Sequence, residues 1–173
     1  CRTIRRWMDE GRGVLPISVN VSRRHLKSLE FVSVLDNLID KYQIPKKYLE
    51  IEITETVEEA EISEGVALLK KEGYTLLMDD FGSGYSSLIT LSELPFNTLK
   101  IDKSLVDCIG QQKGRMVVQQ VIILAHGLGM NVIAEGVETA EQVELLREME
   151  CDDIQGFYYS RPLPREEFIK KLG

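Results

Sequence analysis

The sequence predicts an α/β fold of the (β/α)8-barrel type, incomplete, with about six of the eight βα units present. Three observations predict it. Short β-rich runs alternate with longer amphipathic stretches along all 173 residues. Most of those runs are dense in Val, Ile and Leu with little alternation, as strands buried on both faces of a parallel sheet are. Nearly every run also ends in a carboxylate, amide or amine: Asn20, Glu52, Asp79 with Asp80, Lys100, Glu135 and Gln155. A barrel gathers its strand C-termini into one ring, where active sites sit. An open doubly wound sheet would spread the same residues along an edge. The polar strand ends therefore favour the barrel.

Taken in order, Cys1–Trp7 reads as the middle of a helix, and Pro16–Val21 as the first strand. A helix over Leu29–Tyr42 leads to a strand over Tyr48–Ile53. The helix Val57–Glu72 stops at Gly73, where a left-handed residue is wanted. Strands follow at Thr75–Asp79 and Thr98–Ile101, then the helix Gly114–Gly127, which Gly127 is expected to end in the same way. Asn131–Ala134 is the fifth strand. Thr139, with Gln142 three residues on, resembles a capping box and opens the helix Thr139–Glu150. Asp153–Phe157 is the sixth strand, and Pro164–Leu172 the last helix.

A complete barrel runs to about 250 residues, so the shortfall of roughly 75 matches two βα units missing at the N-terminus of one domain, residues 1–173. Such a wall exposes sheet edges. The free chain is then expected to be poorly stable, completed by another chain, or closed by rearrangement.

Composition narrows the class: 43% hydrophobic, 28% charged, net charge −7 and a pI near 5.0. An acidic surface repels phosphodiester backbones, which argues against bulk nucleic-acid binding. No apolar run approaches the ~20 residues of a membrane span, so no membrane contact is expected of this segment. No secretory signal opens the chain. Three scattered cysteines, Cys1, Cys108 and Cys151, fit a reducing, cytoplasmic setting rather than a disulfide framework or a zinc knot. A parent protein could still be membrane-anchored through other domains.

The strongest local signal is Asp79-Asp80-Phe81-Gly82-Ser83-Gly84. Adjacent strand residues point to opposite faces, so two aspartates serve one site only where the chain leaves the pleat. Paired carboxylates there suit hard divalent cations such as Mg²⁺ or Mn²⁺, and one can bridge two metals. Asn20, Glu52 and Glu55, Glu135 and Gln155 fall on the same rim, and Lys100 stands amid apolar strand residues where nearby carboxylates could tune it. Other signals are discounted. Asp80-Phe81-Gly82 spells a kinase triplet without the companion motifs, and Gly82-Ser83-Gly84 is too short for a Walker loop. His25 and His126 form no metal-spaced pair and read as surface or helix-end residues; Trp7 reads as a packing residue.

Six segments in order resemble the motifs of bacterial EAL domains: Ser18-Val19-Asn20-Val21-Ser22, Glu52-Ile53-Thr54-Glu55, Asp79 through Ser87, Leu99-Lys100-Ile101-Asp102, Ala134-Glu135-Gly136-Val137-Glu138-Thr139, and Gln155-Gly156 with Pro162-Leu163-Pro164. The resemblance covers essentially the whole chain. It implies a TIM-like barrel that hydrolyses cyclic di-GMP to linear pGpG with two Mg²⁺ or Mn²⁺ ions. By the same resemblance, Asn20, Glu52 and Asp79 hold the first metal, and Asp79 bridges to a second completed by Asp80 and Glu135. Lys100, assisted by Gln155, orients or helps deprotonate the attacking water. Glu55 steadies the loop of Phe81, Gly82, Ser83, Gly84, Tyr85 and Ser86, which couples metal binding to dimerisation. The segment Tyr85–Leu94 and the following helix supply homodimer contacts, and a sensor or regulatory domain is an expected partner.

One departure matters. The family's Glu-Ala-Leu motif, whose glutamate is a first-metal ligand, does not occur in this sequence. Losing one anionic ligand should weaken the first metal, so the chain by itself is expected to be inactive or nearly so. Two other readings remain: a non-catalytic EAL-like module that binds nucleotide or a protein partner, and an unrelated barrel enzyme acting on a sugar phosphate.

Overall fold

The computed structural model describes residues 1–28, 30–54, 62–84 and 88–171. In chain order its elements are α1 (Arg2–Asp9), β1 (Ile17–Asn20), α2 (Arg23–Leu26), α3 (Glu30–Tyr42), a 3-10 turn (Lys46–Tyr48), β2 (Leu49–Thr54), α4 (Ser63–Lys71), β3 (Thr75–Phe81), α5 (Leu88–Glu93), β4 (Thr98–Ile101), α6 (Lys103–Val106), α7 (Gln112–Gly127), β5 (Asn131–Ala134), α8 (Ala140–Glu148), β6 (Asp153–Ile154) and α9 (Arg165–Lys171). No described helix is long and apolar enough to cross a membrane.

The six strands form one sheet in the order β1-β2-β3-β4-β5-β6, and every pair is parallel. Strand order equal to chain order is the winding of a barrel wall; a doubly wound sheet would reverse at a switch point. The result is a curled half-barrel. Among the described residues, β1 and β6 are its open edges. Ser18, Val19 and Asn20 of β1 are exposed, and β6 is two residues long.

The central strands β2, β3 and β4 are buried on both faces, as expected, whereas the edge strands β1 and β6 are not. Ile51 and Ile53 of β2, Leu76 and Met78 of β3, Leu99 and Ile101 of β4, and Val132 and Ala134 of β5 are all buried in the main apolar core. That core also takes Val66 and Leu69 of α4 and Val118, Ile122 and Ala125 of α7. Each large aliphatic removed from water contributes about 1.5–3 kcal/mol. Alternate positions point inward. Among the described residues, the buried polar side chains are Glu52, Asp79, Thr98 and Lys100, all on that inner face. The sequence showed little alternation because β3 is apolar through Leu76, Leu77 and Met78; the polar inner layer is concentrated towards the rim.

Element ends shift from their predicted places for identifiable reasons. Gly73 is left-handed (φ +86°), as expected, but Gly127 is the last residue of α7, and Gly129 takes the left-handed position (φ +77°). Thr139 caps α8 with the full reciprocal box. The sixth strand stops at Ile154 because Gln155 and Gly156 turn onto the exit of β5: the Gln155 N–H donates to the Ala134 carbonyl, and the Gln155 carbonyl accepts from Val137. Short helices α2, α5 and α6 were not anticipated. The predicted starts at Leu29 and Val57, and the predicted end at Leu172, lie outside the described residues. Trp7 is buried and packs on Phe168 with ring centroids 5.9 Å apart. His126, near the end of α7, bonds Asp152 at 2.8 Å, and Asp152 also accepts the Val132 N–H. All three cysteines are free.

Candidate metal centre

The C-terminal ends of the strands carry the acidic residues. Asn20 closes β1 and lies in register with Glu52 of β2. Thr54 pairs with Asp79 of β3. β3 does not end at Asp79, as predicted, but runs on to Phe81 through an irregularity: its register with β4 slips between Met78 and Phe81, and Asp80 takes a left-handed backbone (φ +59°). Aspartate tolerates that conformation better than most side chains do. The slip breaks the strict alternation that would send adjacent side chains to opposite faces. Gly82 follows with φ +95°, and a β-carbon there would strike the Leu105 side chain.

Three carboxylates meet as a result. One oxygen from each of Asp79, Asp80 and Glu135 lies within 4.8 Å of the others. Glu52 joins them through Lys100, whose Nζ stands 2.8 Å from Glu52 Oε1, Asp79 Oδ1 and Glu135 Oε1. Lys100 is 4% exposed, Glu52 6% and Asp79 7%, so these contacts are nearly free of solvent screening. Burial opposes the charge on Lys100, but the bonds to Asp79, Glu135 and Glu52 outweigh it and hold the ammonium well above the usual lysine range. Burial pushes the Glu135 carboxyl up despite Lys100, and the charges of Asp79 and Glu52 add to the rise. Asp80 is raised by burial, then by Asp79 and Asp102.

Gln155 is exposed and borders a cavity of about 350 Å³ together with Glu135, Asp102 and Lys103. Phe81 is buried, and Ser83 and Gly84 are exposed beyond it. Glu55, Tyr85 and Ser86 lie outside the described residues. Two features escaped sequence reasoning. Asp102 caps α6 by accepting the Ser104 N–H at 2.9 Å, a role that Asp102-x-Ser104 signals. Lys103 bonds Asp107 at 2.9 Å and Glu138 at 3.2 Å, and only the fold brings Glu138 there.

Four carboxylates around one ammonium leave an excess of negative charge in a mostly buried pocket, and hard oxygen donors at this spacing fit a divalent cation. Lys100 already places a positive charge where three of those carboxylates point. Residues 1–162 match the EAL domain family. The chain belongs to the EAL domain family. It is 36% identical to the cyclic di-GMP phosphodiesterase NbdA of Pseudomonas aeruginosa, over 98% of this chain and 23% of NbdA. The EAL domain of Mycobacterium smegmatis DcpA superposes with a TM-score of 0.91 at 32% identity, covering 98% of this chain and 78% of that one. A manganese and cy-diGMP complex of Klebsiella pneumoniae BlrP1 superposes at 0.79 with 29% identity, covering 87% and 39%. This EAL chain spans about a quarter of NbdA's length.

Proposed function

We propose that this EAL chain carries the metal-binding rim of a cyclic di-GMP phosphodiesterase. The observation that carries the reading is the convergence of Asp79, Asp80 and Glu135, with Glu52 tied to them through Lys100. Asp79, Asp80 and Glu135 would hold one Mg²⁺ or Mn²⁺, and Asn20, Glu52 and Asp79 a second. Such ions acidify a bound water and neutralise charge developing on a phosphoryl group. Lys100, which reaches Glu52, Asp79 and Glu135, would orient or help deprotonate the attacking water. Gln155 borders the same cavity as Glu135 and positions substrate there.

The reading includes two further βα units, since among the described residues β1 and β6 are unpaired on their outer sides and an open edge is a liability in water. It takes a homodimer as the assembly: α7 turns Met116, Val117, Ile123 and Leu124 outward, a larger apolar face than a solvated helix needs. Its setting is the cytoplasm, which suits three free thiols.

The test is chromatographic detection of pGpG from cyclic di-GMP with Mg²⁺ or Mn²⁺. The chain alone is expected to give little or no product. A chimera that adds the first two βα units of the NbdA EAL domain is expected to give it, and to lose it with Asp79→Asn. A well-folded chimera that binds Mn²⁺ and cyclic di-GMP without turnover would instead favour the non-catalytic module.

A further inference from the structure

Asp79, Asp80 and Glu135 come from the exits of β3 and β5, and one short helix touches both exits. α6 (Lys103–Val106) follows β4 directly. At its root, the Asp102 N–H donates to the carbonyl of Phe81, the residue after Asp80, at 3.0 Å. The Glu135 N–H donates to the Ile101 carbonyl, also at 3.0 Å. Each exit then meets α6 at a left-handed glycine. Gly82 (φ +95°) lies against the Leu105 side chain, and Gly136 (φ +68°) against the stem of Lys103. A β-carbon at Gly136 would stand 2.6 Å from Lys103 Cβ and Cγ, well inside the ~3.5–4 Å of a carbon contact. Lys103 Nζ also donates to the Gly136 carbonyl at 3.4 Å and stands 3.2 Å from Glu138 Oε1.

As a surface ion pair the last contact would be ordinary. Lys103 and Glu138 are each nearly half exposed, and such pairs contribute little to stability. Placement is what distinguishes these contacts. Oxygens of Asp79, Asp80 and Glu135 lie within 4.8 Å of one another, although they are carried by two separate exits. A metal centre needs its ligands held in place by the residues behind them. α6 touches the chain two residues after Asp80 and one residue after Glu135, so it sets the gap between them.

Resting on the metal-centre reading, we propose that Leu105 and the stem of Lys103 are positioning groups, which hold the exits of β3 and β5 at the separation a divalent cation requires. Electrostatics alone gives the opposite sign for Lys103. It borders the same cavity as Glu135, and an ammonium there repels a metal ion, so its loss would tighten metal binding. Positioning makes its loss weaken metal binding.

Mn²⁺ titration followed by electron paramagnetic resonance separates the two, on the chain and the chimera in parallel, with urea unfolding of each variant in chelator. Lys103→Ala and Leu105→Ala should each weaken Mn²⁺ binding by about tenfold and change the spectrum of the bound ion. Lys103→Met keeps the apolar stem without the charge and should retain affinity within about threefold. The double alanine variant should lose less than the product of the single losses, because both act on one gap. If Leu105→Ala does not fold, Leu105→Val takes its place and should weaken binding in the same direction. Unchanged or tighter Mn²⁺ binding in both alanine variants overturns the positioning role, and an equal loss in Lys103→Met overturns the part given to the stem. Formation of pGpG by the chimera would then leave the enzyme reading intact. No Mn²⁺ binding by the unsubstituted chain or the chimera overturns both readings.

Discussion

Lys100 touches Glu52, Asp79 and Glu135 at 2.8 Å each and is almost completely buried. Lys100→Met keeps most of the apolar stem and leaves those carboxylates facing one another without a cation. Breaking a buried ion pair by removing one partner costs about 3–5 kcal/mol, because the remaining charge stays desolvated. The variant should therefore unfold at markedly lower urea in chelator, by about that amount, and Mn²⁺ should restore part of the loss. Unchanged urea stability in chelator would mean that the carboxylates relax into solvent or take up protons at no cost. The role of Lys100 was only half legible in the sequence. A lysine between Leu99 and Ile101 is conspicuous, but three partners from β2, β3 and the exit of β5 meet it only once the wall curls.

At the scale of elements, what the chain signals locally is what the structure keeps. The capping box at α8 is complete: the Gln142 N–H donates to Thr139 Oγ1 at 3.2 Å, and Gln142 Oε1 accepts the Thr139 N–H at 3.0 Å. Thr139→Ala removes one half of it and should cost about 1 kcal/mol. α8 packs Val143, Leu145 and Leu146 into the core and contributes no carboxylate to the rim, so Mn²⁺ affinity should not move. Urea unfolding with an unchanged m-value, alongside a Mn²⁺ titration, checks both halves. Places where the local reading failed have a common cause. Asp80 was expected at a strand end, whereas a register slip against β4 carries β3 through it. The sixth strand was expected to reach Phe157, whereas Val137, from another loop, captures Gln155 and Gly156. In both, a partner remote in sequence overrides the local pattern.

Across the whole molecule, the net charge of −7 conceals two classes of carboxyl that titrate apart. Burial raises Glu50, with Glu52 and Asp153 adding to it, and burial also raises Asp80 and Glu135. A carboxyl raised in the folded state contributes stability that is present in full below its unfolded value and lost as pH rises through the folded value. Asp36, Asp102 and Asp152 go the other way. Burial opposes the shift, but bonds to Lys46 and Tyr74, to Ser104, and to His126 respectively pull them down. Their contribution is present above the unfolded value and lost as pH falls through the folded value. The two windows flank the ordinary carboxylate range near about 4. Metal-free thermal stability should therefore be greatest on the acidic side of neutrality, near the ordinary carboxylate range, and fall as pH rises through the folded values of the raised carboxyls. Mn²⁺ should move that maximum upward, since the cation replaces protons on the same oxygens. A maximum at neutral pH in chelator would show that the raised carboxyls do not govern stability.

The sequence by itself determined the parallel α/β class, the alternation of strands and helices, the capping box and the identity of the rim residues. Each depends on hydrophobic period, backbone propensity or short spacing, which neighbours in the chain express. Only the tertiary structure decided that strand order follows chain order, that Asp79 and Asp80 reach one site through a slipped register, that Lys100 is the shared counter-ion, and that α6 meets the exits of both β3 and β5. Those facts depend on curl, register and contacts between residues tens of positions apart. They arise when burial and charge are balanced over the whole sheet.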